Sequence, residues 1–165
     1  MSTELLKKMI IYICVAYPDK WDLSDARLTK MIYLADWKYA LKYGEKLTGI
    51  EWVFNHYGPY VPDVLNCAKS CHSELSLEYG ANAYNTPKTV IKAKDNIQKP
   101  NLDSKVTDVL DFVIEKAVKR SWNQFIQLVY STYPIYMQPR YSKLDLVELA
   151  KEYKEKFPPE VAMTQ

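Results

Sequence analysis

Apolar side chains recur along this chain with helical spacing in most segments and with strand spacing in only a few. Leu6, Met9, Ile10, Ile13 and Tyr17 follow the offsets of one helical face, and Pro18 stops that face by removing a backbone donor. Ser24 is a good N-cap for a second helix, because its hydroxyl can accept from a free amide of the first turn, and Asp25 places negative charge at the positive helix end. Leu28, Met31, Ile32, Ala35 and Tyr39 form one stripe of this helix, and Leu34, Trp37 and Leu41 form another. A helix that is apolar on two sides is usually central. Gly44 then supplies a left-handed C-cap.

From Leu47 to Tyr60 the helical period is lost. Ile50, Trp52 and Phe54 alternate with Glu51, Val53 and Asn55, which predicts a short strand or extended arm closed by a turn at Gly58-Pro59. Pro62 can sit in the first turn of a third helix, expected over Val61 to Ser70. Leu75–Tyr79 and Thr89–Ala93 flank a segment containing Gly80, Asn82, Asn85 and Pro87, the pattern of two antiparallel strands with a long exposed connection. Val106, Val109, Leu110, Val113, Ile114, Ala117 and Val118 mark an amphipathic helix starting near Asp103 and Ser104. Ser121 and Gln124 have capping-box spacing for the next helix, which Pro134 should close, and Ser142 with Asp145 should open the last one. The expected fold is mainly α: one compact domain over residues 1–165, about six helices around the Leu28–Leu41 helix, with a small antiparallel hairpin as its only sheet.

The residues Lys30-Met31-Ile32-Tyr33-Leu34-Ala35-Asp36, then Leu47-Thr48-Gly49, then Tyr57-Gly58-Pro59-Tyr60-Val61 resemble the Panacea (SocA-like) antitoxin domain, whose pattern runs KLLYLAD, PLTG, YGPV. VTDVLDFVIEKAVKRS, Trp122 to Tyr133 and SKLDLVELAKEY resemble that family's closing helices. Trp37 and Lys38 depart from the pattern, which often has an arginine after the aspartate, and the hairpin region has no counterpart in it. The resemblance implies an antitoxin that binds a co-encoded protein toxin directly, with phage defence as one setting. It also implies an alternative, a proteolytic adaptor or regulator of phage or prophage origin that presents a bound protein to a protease; the polar end Pro158 to Gln165 would be its peptide tail.

Composition narrows the chemistry. A net charge of +2 and a pI of about 8.3 fall short of the basic balance, above about 9, that marks phosphate-tracking proteins, so nucleic acid is a disfavoured partner. A third reading, a DNA-binding regulator with the hairpin as a wing, would need a basic helix beside it, and Val61 to Ser70 carries only Lys69. No apolar run approaches the ~20 residues of a membrane span. The opening segment, through Tyr12 and Tyr17, fits an amphipathic helix better than a signal peptide, so a cytoplasmic protein with reduced Cys14, Cys67 and Cys71 is expected.

Catalytic candidates are few. His56 lies in an aromatic segment without a readable partner. Cys67, Cys71 and His72 lie near one another but fall short of a metal-ligand set, so neither metal nor cofactor is expected. Phosphate loops and nucleophile elbows are missing, and the expectation is a protein that is not an enzyme. Asp36, a carboxylate in an apolar helix, is expected to brace the Trp52–Tyr60 segment by accepting backbone amides, with Gly58 and Pro59 as a backbone device. The 14 tyrosines and four tryptophans include interface-prone side chains, since Tyr and Trp offer large contact area at low rotamer entropy. Trp52, Tyr57 and Tyr60 around the turn, with Tyr130, Tyr133 and Tyr136 after the fifth helix, are the candidate partner surface, Trp52 and Tyr60 being expected to present exposed rings.

Overall fold

A computed structural model describes residues 3–158. Its helices are α1 (Thr3–Ala16), α2 (Asp25–Tyr43), α3 (Asp63–Ser70), α4 (Ser104–Val118), α5 (Trp122–Tyr130), α6 (Tyr133–Met137) and α7 (Leu146–Lys156). Two small sheets accompany them: β1 (Trp52–Asn55) lies between β2 (Gly58–Pro59) and β5 (Lys143–Leu144), and β3 (Leu75–Ala81) pairs with β4 (Pro87–Ala93), all antiparallel. The fold is mainly α.

Helix α2 is the centre, as its two apolar stripes predict. Every residue from Arg27 to Trp37 is buried, because α1, α3, α4, α7 and strand β4 all pack on it. Both of its ends are capped as the sequence indicates. Ser24 Oγ accepts from the Arg27 amide, and Gly44 takes φ +72° so that its own amide reaches the Ala40 carbonyl.

Four expectations need correction. Seven α-helices occur among the described residues, against about six expected, because Pro134 opens α6 rather than closing α5; its fixed φ and missing donor suit a first turn. Asp145 alone caps α7, accepting from the Glu148 amide, while Lys143–Leu144 pair with Val53–Trp52. The hairpin is therefore accompanied by a second sheet, whose outer strands of two residues each are too short to carry a period. The connection between β3 and β4 is also shorter than expected. The ladder continues to Ala81↔Pro87, and Asn82 Oδ1 closes the tip by accepting from the Tyr84 and Thr86 amides.

Hairpin and core are tied at the start of α2. Ser24 bridges to Val90, and the Ile91 amide donates to the Leu23 carbonyl. That attachment projects the hairpin tip beside the first turn of α2. The residues beyond 158, which include nearly all of the Pro158–Gln165 segment read as a possible tail, lie outside the described region.

Candidate functional site

Four loops and helix ends enclose a cleft of about 950 Å³. One wall is the first turn of α2, another the β1–β2 turn from Asn55 to Tyr57 with Tyr60, a third the hairpin tip from Asn82 to Thr89, and the last α5 through Trp122, Ile126 and Tyr130. Such a volume is at the upper end of ligand-sized pockets, and the rings of Tyr57, Tyr60, Tyr84, Trp122 and Tyr130 share its walls with polar and charged side chains.

The walls are braced by polar groups buried for that purpose. Arg27 is fully buried: its Nη1 donates to the Ala117 carbonyl at 3.1 Å, its Nε lies 3.4 Å from Asp22 Oδ2, and its guanidinium sits 4.8 Å over the Phe125 ring. This one side chain therefore links α2 to the end of α4 and the start of α5. Tyr17 also donates to Asp22, at 2.6 Å. Tyr60 donates its phenol proton to Asp25 Oδ2 at 2.8 Å, and Thr29 donates to Asp25 Oδ1 at 3.1 Å, so both carboxylate oxygens are engaged. Burial, then the bond to Asp25, raises the Tyr60 pKa and keeps that proton in place.

Gly58 is required where it stands. Its φ of +106° is costly for an L side chain, and a Cβ there would come within 3.3 Å of Tyr130 and 3.5 Å of Lys30 Cε. The turn can thus lie against α5 and α2 only because that position has no side chain.

Lys30 forms part of the cleft lining. It is 2% exposed, its Nζ lies 5.8 Å from the Tyr60 ring centre, and no hydrogen bond or ion pair to its ammonium occurs among the described residues. Burial lowers its pKa to about 8, against the opposing pull of Asp25.

The candidate residues divide between surface and interior. Tyr57 is exposed on the cleft rim and Tyr60 is half-buried in its wall. Tyr136 is exposed on α6, outside the cleft lining. The expectation of an exposed ring at Trp52 is wrong. Trp52 is fully buried, edge-on to Tyr33 at 5.6 Å, because the inward face of its strand alternation also carries Ile50 and Phe54 into the core. Tyr133 is buried too, its hydroxyl donating to Glu152 Oε1 at 2.7 Å, since α6 packs on α7.

Asp36 is buried and accepts from four donors: the amides of Leu47 and Thr48 at 2.9 and 3.0 Å, Thr48 Oγ1 at 2.5 Å and Trp52 Nε1 at 2.9 Å. It thus secures Leu47–Trp52, a segment earlier in the chain than the expected Trp52–Tyr60. Burial raises its pKa, and the hydrogen bonds from Thr48 and Trp52 pull the other way. His56 lies exposed with Nδ1 3.1 Å from Tyr141 Oη. Cys67 and Cys71 are buried, Cys71 donating to the Cys67 carbonyl, and burial pushes the Cys67 thiol up to about 12.

Lys30, Trp122, Ile126 and Tyr84 were not singled out from the sequence as site residues. One signal was present for Lys30, a lysine inside an apolar stripe, where a solvated charge has no place. Tyr84 and Trp122 carried none, because the loop and helix that bring them to one cleft are far apart in the chain.

Fold and site together define a mainly helical protein in which a central buried helix carries one wall of an aromatic cleft. The chain belongs to the family described as antitoxin SocA-like, Panacea domain, whose model matches residues 28–134. The match covers more than half of the chain and most of the cleft, and ends before SKLDLVELAKEY. The family suggests a toxin–antitoxin-related role and a protein partner. No curated protein and no solved structure matches. Among the described residues no helix is long and apolar enough to cross a membrane.

Proposed function

We propose that this protein is an antitoxin that neutralises a co-encoded protein toxin by direct, stoichiometric binding and does so without catalysis. The family match over residues 28–134 is the observation that carries this reading. The cleft supports it, since aromatic walls built on a rigid helical frame offer a preformed surface for another protein. Four titratable side chains of the cleft walls are engaged in bracing: Asp22, Asp25, Arg27 and Tyr60 bind one another or the backbone. The proposed contact surface comprises Tyr57 and Tyr60 with the neighbouring cleft walls.

The test is to express the reading frame adjacent to this gene under an inducible promoter, alone and with this protein. Growth arrest relieved by co-expression, with the two proteins co-purifying in equal amounts, is the expected result. Arrest without relief, or relief without a complex, would rule the reading out. The adaptor alternative, with a protease as second partner, depends on a tail outside the described residues, and no structural observation favours it.

A further inference from the structure

We propose that the cleft receives a carboxylate carried on a short segment of the partner protein, an aspartate, a glutamate or a free C-terminus, with the Lys30 ammonium as its receptor and the rings of Tyr57, Tyr84 and Trp122 gripping the apolar residues beside it. The proposal deepens the antitoxin reading by stating the chemistry of the bound segment. It rests on that reading only for whose segment it is.

Lys30 is the reason. A buried cation is costly unless it is paired, and structures rarely leave one without a hydrogen-bonding acceptor. Its nearest negative neighbour, Asp25, is occupied at both oxygens by Tyr60 and Thr29. Arg27, the other buried cation of the wall, is satisfied by Ala117, Asp22 and the Phe125 ring. Of the two lysines in the lining, Lys88 is half-buried over the Trp21 ring, and Lys30 is the buried one left, among the described residues, without an acceptor.

Charge also decides which anion fits. A nucleotide or nucleic-acid strand brings several negative charges and needs convergent cations or a cradle of backbone amides. Among the described residues this cleft has one buried lysine without an acceptor, a second, half-buried lysine, Lys88, whose ammonium lies 5.1 Å from the Trp21 ring centre, and two carboxylates, Asp22 and Asp25, which would repel further charge. A lone carboxylate matches it. The rim then accounts for the flanking residues: Tyr57 and Tyr84 are 75% and 89% exposed on two separate loops, and Trp122 is partly exposed on α5. Exposed aromatic rings of this kind are typical anchors for apolar side chains of a partner.

A displayed library of random peptides panned against the full protein supplies a probe, and synthetic peptides from the selected pool are then titrated by calorimetry. The selected sequences are expected to share an acidic residue or a free C-terminus beside apolar residues. Changing that glutamate to glutamine, or Lys30→Met in the protein, should weaken binding at least tenfold, as for a charge-assisted hydrogen bond lost from a desolvated site. Tyr84→Ala, at an exposed tip remote from the core, should weaken it severalfold and covers the case of a Lys30 variant that does not fold. The proposal fails if no peptide binds, if the selected peptides lack a carboxylate, or if Lys30→Met binds them unchanged. It fails equally if GTP or single-stranded RNA displaces them at lower concentration than the peptides' own affinity, or if a second copy of the chain occupies the cleft in sedimentation. Growth rescue by a protein that binds no acidic peptide would overturn this inference and leave the antitoxin reading standing. Peptide binding without rescue would do the reverse.

Discussion

The indole Nε1 of Trp52 donates to Oδ2 of Asp36 at 2.9 Å, and both residues are buried. This bond joins the middle of the central helix to the first residue of β1. Trp52→Phe should leave the cavity nearly filled and remove one of four donors, costing about 1–3 kcal/mol. Trp52→Ala adds a cavity and should cost about 3–5 kcal/mol. Urea unfolding checks both, and equal losses would mean that packing contributes nothing beyond the hydrogen bond.

Gly58→Ala tests the turn. The positive φ and the contacts with Tyr130 and Lys30 Cε act together, so a loss of roughly 1–3 kcal/mol is expected. Gly44→Ala meets no neighbouring atom and should lose less. Comparison of the two melting temperatures separates crowding from strain.

Lys30 is predicted to destabilise the free protein. Its folded pKa of about 8 is below the ordinary 10.5, so the unfolded chain holds this proton more tightly. The penalty is fully present below pH 8 and disappears as pH rises from about 8 to 10.5, where stability should increase relative to a variant without the lysine. Lys30→Met should thus be more stable at pH 7, by up to roughly 3 kcal/mol, and the advantage should vanish near pH 10.5. Denaturation of both proteins across that range decides it; a constant difference would show that the lysine is not desolvated.

Tyr57→Ala and Tyr136→Ala should each change stability by less than about 0.5 kcal/mol, since both rings are exposed. Only Tyr57 borders the cleft. Its truncation should therefore weaken toxin neutralisation in the growth assay, and Tyr136→Ala should not. The opposite pattern would move the partner surface to α6.

Local chemistry was legible where it is local. The Ser24 and Gly44 caps of α2 and the Ser121–Gln124 capping box are all present, because each needs only neighbours within one turn. Periodicity likewise marked β1, although it left open which face was buried. The expectation of an outward Trp52 fails because an aromatic residue is equally at home in a core and on an interface. The acceptor that holds its indole belongs to a residue 16 positions away. Pro134 fits a stop and a start alike, since a proline after a break suits the first turn of a new helix.

The sequence by itself determined the helical class, the central helix, the turn at Gly58 and, through the motif from Lys30 to Val61, the family. Its information is carried by spacing along the chain, and spacing reports helix faces, caps and turns. Only the tertiary structure decided which aromatics reach the surface and that Lys30 has no acceptor among the described residues. Both depend on residues from α2, the β1–β2 turn, the hairpin tip and α5 converging on one cleft, where burial changes the free energy of a charge far more than its neighbours in sequence can.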